Sequence, residues 1–219
     1  MIVKFDDSLE VHAKTERLVL YGARTGSSRR AAIALVEAGV VFETATLNPS
    51  RSGSFPQSIL PQTPLAKVPV LAAYDGQEVV WSLSQSSAIM MDAAASAPGR
   101  LLPARRRDER RALDRFFYFI TDVIAPSHAG RYLDREGVQD GAKAMTALTS
   151  ERIEHCESFL EHSPYMAGEE FGLADIAAYT LIHSVPQDLH WKYFPLLTDW
   201  YARIEDRPGV RRGMAAFGA

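Results

Sequence analysis

The sequence predicts an α/β domain followed by an all-α domain, and three observations carry that expectation. Arg17-Leu-Val-Leu-Tyr21, Ser27 to Ala38 and Val41-Phe-Glu-Thr-Ala-Thr-Leu47 read as strand, helix and strand, which is a right-handed parallel unit. Asp75-Gly76 between two apolar runs signals a hairpin. After residue 104 only the helical period is found.

Each element follows from local chemistry. The first strand is a short apolar run, Gly22 to Gly26 is a turn, and Gly39 stops the first helix. The second strand alternates and is rich in β-branched residues. Residues 49–64 are dense in Ser, Pro, Gly and Gln and read as a loop with one short helix around Pro56 to Leu60. Val68 to Ala73 and Glu78 to Trp81 form antiparallel strands, and Ser84 to Ala95 is an Ala- and Met-rich helix. Two prolines and a glycine then break the chain. The expected organisation is an N-terminal extension over 1–16, an α/β domain over 17–96, a linker over 97–104 and a helical domain over 105–219. Within the last, Ala104 to Leu133 is one long helical pattern bent near Pro126, followed by helices at Ala142 to Glu161, Leu173 to Val185 and Leu196 to Asp206.

Composition narrows the function. At 219 residues and 47% hydrophobic the chain can bury a sizeable core, and a formal net charge of −3 gives no global pull toward nucleic acid. No run of about 18 apolar residues suggests a membrane span, and residues 1–17 lack the apolar run of a signal peptide. The single cysteine, Cys156, excludes an intramolecular disulfide and fits a reducing compartment, so the expected location is cytoplasmic. His155 with His162, and His183 with His190, are seven apart but lack a third ligand at metal spacing, so no metal is expected. Cys156 reads as a buried, inert thiol, and the arginines from Arg105 to Arg111 as a solvated helix start.

The turn Gly22-Ala-Arg-Thr-Gly-Ser-Ser28 sets Thr25, Ser27 and Ser28 at a positive helix end, where an anion is favoured. Arg24, Arg29 and Arg30 crowd the same terminus. An ordinary Ser cap with solvated arginines accounts for the same residues. A phosphate loop would need Lys then Ser or Thr where Ser28 and Arg29 stand. A helix end can also stabilise a thiolate, and since the turn has no cysteine, the sulfur would be the ligand's.

Four segments together resemble the glutathione S-transferase superfamily across about 200 residues. They are Tyr21 to Leu35, Thr63-Pro-Leu-Ala-Lys-Val-Pro-Val-Leu71, Leu83-Ser-Gln-Ser-Ser-Ala-Ile89 and Tyr165-Met-Ala-Gly-Glu-Glu-Phe-Gly-Leu-Ala-Asp-Ile176. The resemblance implies a thioredoxin-like N-terminal domain (βαβαββα) and a helical-bundle C-terminal domain. It also implies glutathione as co-substrate, a small hydrophobic electrophile as partner, and a homodimer. Carried over residue by residue, a hydroxyl at Thr25 or Ser27 would hydrogen-bond the glutathione sulfur. Lys67 would meet the glycyl carboxylate, Val68 would pair its backbone with the cysteinyl part, Pro69 would be cis, and Gln85 with Ser86 would bind the γ-glutamyl end. Tyr118, Phe119 and Tyr132 are candidates for the electrophile pocket, although core packing accounts for aromatic residues there as well. Gln85 stands where the family has Glu, and Gly172 where it has a Ser or Thr helix cap. The implied activity is a glutathione transferase. Related glutathione-dependent isomerases, reductive dehalogenases and ether-cleaving enzymes, or a non-catalytic binding module, share the same signals.

Overall fold

A computed structural model describes residues 17–48, 55–63, 65–185 and 189–218. The expected extension over 1–16 and residues 49–54 and 64 of the loop after Asn48 lie outside these residues. Strands β1 (Arg17–Gly22), β2 (Glu43–Thr46), β3 (Val70–Asp75) and β4 (Glu78–Leu83) form one sheet in the order β2-β1-β3-β4. β1 pairs parallel with β2 and antiparallel with β3, and β3 pairs antiparallel with β4. The hairpin closes with Asp75 opposite Glu78, leaving Gly76 at φ 61, the left-handed region that a residue without Cβ adopts freely.

Helix α1 (Gly26–Ala38) connects β1 to β2 and ends in Gly39 at φ 78. Between β2 and β3 the described residues hold a single 3₁₀ turn, Leu60–Gln62, four residues later than the helix expected at Pro56. Helix α2 (Ser86–Ser96) follows β4. Because β4 runs parallel to β1, α1 and α2 both open at the same edge of the sheet, where antiparallel β3 begins. Tyr21 lies opposite Val70, and Leu71 opposite Leu83. With strands about 4.8 Å apart, the two helix openings are about 10 Å apart across the start of β3.

The helical half contains α3 (Arg106–Phe117), α4 (Ala125–Arg135), α5 (Gln139–His155), α6 (Leu173–Ile182), α7 (Pro195–Glu205) and α8 (Pro208–Ala215). α3 and α4 are joined without a break by a π-helical stretch, Tyr118–Ile124. Pro126 is the cause: it has no N–H to give the carbonyl of Asp122 four residues back. That carbonyl instead accepts from the Arg152 guanidinium of α5, while the Tyr118 hydroxyl donates to the Arg152 carbonyl at 3.0 Å.

Every residue of α6 is buried, which marks it as the central helix. One apolar core runs from Leu20, Ile33 and Met90 through Phe116 and Ile176 to Trp200, so the two halves share it. The Asp175 carboxylate, fully buried, accepts from Met166 N–H at 3.0 Å, Gly172 N–H at 2.9 Å and Trp200 Nε1 at 2.8 Å. Burial raises its pKa to about 6 against the opposing pull of those three donors. Gly172 is not a lost cap. A Cβ there would stand 2.8 Å from the Leu101 carbonyl, which itself accepts the Leu173 N–H at 3.1 Å and so caps α6 from the linker.

α8 closes the C-terminal end onto α1. A Cβ on Gly213 would lie 2.6 Å from the Ile33 backbone, so the two helices touch through main chain. Arg207 grips Glu37 through Nε at 3.2 Å and Nη2 at 2.9 Å.

Candidate functional site

The opening of α1 is organised by two hydroxyls. Thr25, the N-cap, accepts the Ser28 N–H at 3.2 Å and donates its own hydroxyl to Ser28 Oγ at 3.0 Å. Ser28 Oγ, fully buried, also accepts the Ala23 N–H at 3.2 Å. The Arg29 N–H returns to the Thr25 carbonyl at 3.0 Å. The N–H groups of Gly26 and Ser27 and the Ser27 hydroxyl stand outside this network, as donors without a helical acceptor. Of the three hydroxyls in the turn, the structure therefore commits two to the cap and leaves Ser27 available.

Above this opening lies a cleft of about 780 Å³ between the α/β half and helices α4 and α6. Thr25, Ser27, Lys67, Val68 and Tyr132, all expected from the sequence, line it. So do His128, Arg131 and Arg135 of α4, which the sequence reading did not single out. Their spacing of three and seven residues, with Tyr132 between, is one face of a helix and was there to be found. Arg24, Arg29 and Arg30 complete the lining on the α1 side, and none of the described lining residues is acidic.

Arg30 is the most constrained of these cations. Only 3% exposed, it pairs with no acid among the described residues, and its Nε has no hydrogen bond. Its side chain runs back toward the helix opening, Nη2 lying 3.5 Å from where a Cβ on Gly26 would be. Burial, then the neighbouring Arg131, lower its pKa to about 10, which still leaves it charged at neutral pH. His128 is held neutral by the same surroundings: partial burial in the cleft and the charges of Arg131, Arg30 and Lys67 push it down to about 4.

Val68-Pro69 is a cis peptide bond at the head of β3. Just before it, Ala66 sits at φ 45, in the left-handed region. Gln85 is the exposed N-cap residue of α2 and Ser86 its first residue, at the same sheet edge as Ser27 but outside the cleft lining. Phe119 is fully buried in the core, and Tyr118 is tied to Arg152 and stacked edge-on against Phe159. Neither lines the cleft, because the π-helical stretch turns both toward α5 and the core, whereas Tyr132 is 55% exposed. Tyr21 also faces away: its hydroxyl pairs with that of Tyr74 at 2.6 Å on the opposite side of the sheet, and burial pushes its pKa up. Cys156 is buried, its thiol pushed up to about 12 by burial. Among the described residues no group of three or more His, Cys, Asp or Glu is placed to hold a metal ion, and no helix is long and apolar enough to cross a membrane.

Comparison with known proteins places these features in a family context. Residues 20–100 match the family model for the glutathione S-transferase N-terminal domain, and residues 115–208 that for the C-terminal domain. The chain is 23% identical over 202 residues to the disulfide-bond oxidoreductase YfcG of Escherichia coli K12, covering 89% of this chain and 93% of that protein. It is 25% identical over 168 residues to the glutathione S-transferase GstB of the same organism, covering 70% and 76%. Its fold is similar to that of a Pseudomonas fluorescens glutathione transferase family member crystallised with two glutathione bound, with a TM-score of 0.78 and 18% identity over 91% of this chain and 92% of that one. A Pseudomonas putida glutathione transferase with one glutathione disulfide bound per subunit gives a TM-score of 0.78 at 19% identity, covering 91% of each chain.

Proposed function

The chain belongs to the glutathione S-transferase family, and from that premise we propose that it binds glutathione along the sheet edge and activates its thiol for attack on an electrophile. The observation that carries the reading is the opening of α1, where the Ser27 hydroxyl and two backbone N–H groups are free to donate to an anion. A thiolate placed there gains hydrogen bonds and the positive helix end together, which lowers the thiol pKa and supplies the nucleophile. The sulfur has to come from the ligand, since the chain's one cysteine is buried.

In glutathione the γ-glutamyl end and the cysteinyl sulfur are the two parts that would meet the two helix openings, about 10 Å apart. In this reading Ser27 donates to the sulfur and Thr25 holds the turn. The Val68 backbone pairs with the cysteinyl residue, and Lys67 receives the glycyl carboxylate. Gln85 and Ser86 take the γ-glutamyl end, with Gln85 contributing hydrogen bonds but no charge to the ammonium. The second substrate lies in the cleft against Tyr132. Attack forms the carbon–sulfur bond as the leaving group departs with its electron pair, and the thiol proton passes to solvent. The same reading takes the protein to be a cytoplasmic homodimer.

A second reading, glutathione-dependent disulfide reduction, draws on the likeness to YfcG. With Cys156 buried, one glutathione thiolate would attack the substrate disulfide and release its first thiol, and a second glutathione would attack the mixed disulfide, releasing the other thiol and glutathione disulfide, with no protein cysteine involved. Product analysis separates the two. A conjugate with stoichiometric loss of free glutathione supports transfer, whereas formation of glutathione disulfide without conjugate supports exchange, and no glutathione-dependent turnover on either substrate class removes both.

A further inference from the structure

The cleft carries more positive charge than glutathione can neutralise. Six Lys or Arg residues line it with no acid among the described residues. A bound glutathione thiolate, with two carboxylates and one ammonium, brings a net charge of about −2. The excess is concentrated on the helical side, where Arg30 of α1 meets Arg131 of α4, beyond the strand edge along which the peptide would lie.

Arg30 makes the point sharply. A buried guanidinium normally finds a carboxylate, because leaving a charge unpaired out of water costs several kcal/mol. Arg30 is instead set beside the positive end of α1, with the charge of a second arginine, Arg131, acting on it. Arg131 is itself oriented by hydrogen bonds to Ser127, from Nη2 to Oγ at 3.0 Å and from Nε to the carbonyl at 3.4 Å. Two guanidinium groups, one buried and one anchored, thus border the cleft with no acid among its described lining residues.

We infer that this side of the cleft is an anion site, and that the second substrate is a carboxylate-bearing electrophile whose carboxylate is received by Arg30 and Arg131. As a statement about the second substrate it rests on the glutathione reading above. It narrows the small hydrophobic electrophile expected from the sequence to one that also carries an anion. Glutathione's own carboxylate, from a second bound molecule, has the same chemistry, and the test separates it from a small acid.

The experiment compares para-(bromomethyl)benzoate with para-(bromomethyl)benzamide as acceptors for glutathione, in wild type, Arg30→Lys and Arg131→Gln. In each reaction the thiolate forms a carbon–sulfur bond, bromide leaves and one proton is released. Wild type is expected to favour the benzoate roughly ten- to hundredfold in kcat/KM, the value of a charge-assisted pair of hydrogen bonds. Both variants are expected to pull that ratio toward one, and exposed Arg131 keeps the test open should Arg30→Lys fail to fold. Calorimetry with para-methylbenzoate and para-methylbenzamide in the absence of glutathione gives an independent reading. Selective benzoate binding supports the anion site even where glutathione turnover is nil, which would sink only the transferase reading. Glutathione turnover with a benzoate-to-benzamide ratio of one, or a ratio that neither folded variant changes, overturns the inference and leaves the transferase reading standing. Loss of benzoate selectivity only when glutathione is in excess assigns the site to a second glutathione and overturns the small-acid substrate.

Discussion

Thr25 and Ser28 close on each other at the head of α1: the Thr25 hydroxyl donates to Ser28 Oγ at 3.0 Å while accepting the Ser28 N–H at 3.2 Å. Three hydroxyls that look interchangeable in sequence are thereby sorted. Two hold the turn, and Ser27 faces the cleft.

Separate readouts should follow for the two roles. Ser27→Ala is expected to lower glutathione-dependent kcat by roughly 10² to 10³, the effect of losing one aimed donor, with an unfolding midpoint within the scatter of wild type. Thr25→Ala should instead cost about 1 kcal/mol of stability through the lost cap. Steady-state kinetics and urea denaturation on both variants check this, and a larger kinetic loss in a folded Thr25→Ala would reverse the assignment.

Gly172→Ser restores the residue type usually favoured at a helix start, yet it should destabilise. The Leu101 carbonyl stands 2.8 Å from the new Cβ and already caps Leu173. The expected loss is about 1–3 kcal/mol by denaturant unfolding, as for other overpacked sites. A gain in stability would contradict this account of the linker.

Asp175→Ala strands three buried donors, on Met166, Gly172 and Trp200. A loss of about 3–5 kcal/mol is expected, or failure to accumulate folded protein. Asp175→Asn, which keeps an acceptor for Met166 and Trp200, should retain more stability than Ala when both are unfolded side by side.

Ala66 at φ 45 should be improved by glycine. An alanine in the left-handed region costs about 1 kcal/mol, and only part of that is offset by the greater freedom glycine brings to the unfolded chain. Ala66→Gly is expected to raise stability by about 0.5 kcal/mol, opposite in sign to the usual change, as read by the denaturation midpoint.

His128 gives a pH signature of the cleft. Its pKa is lowered from 6.5 to about 4 by partial burial and by Arg131, Arg30 and Lys67, with Arg135 also lining the cleft. Between those values the unfolded chain holds a proton that the folded one does not, so this group makes stability fall as pH drops from 6.5 toward 4. His128→Gln should flatten that part of the profile, measured as denaturation midpoints at about pH 7 and about pH 5. An unchanged slope would mean that His128 is not held neutral.

The strands, α1, the hairpin and the long helical pattern were legible because each rests on local chemistry: Gly39 and Asp75-Gly76 stand where the structure turns, and Pro126 where the α-helical ladder gives way to the π-helical stretch. α8 was not legible, because Pro208, Gly209 and Gly213 read as breakers. Gly209 and Gly213 are there because α1 presses against them, a tertiary demand that no local pattern reveals. The cleft was half legible for a similar reason. Ser27, Lys67 and Val68 lie in recognisable segments, whereas His128 and Arg131 matter only because α4 is folded over α1. Phe119 is the converse case, an aromatic in the right segment whose side chain the π-helical stretch sends into the core.

The central claim is that a glutathione thiolate is held at the opening of α1 by Ser27. The most direct measurement is the ultraviolet thiolate absorbance of bound glutathione, titrated with pH on wild type and on Ser27→Ala. The account predicts that the bound thiol of wild type ionises well below its free value and that Ser27→Ala returns it toward that value while glutathione still binds. A bound thiol with its free pKa in wild type, or a lowered pKa untouched by Ser27→Ala, would contradict it.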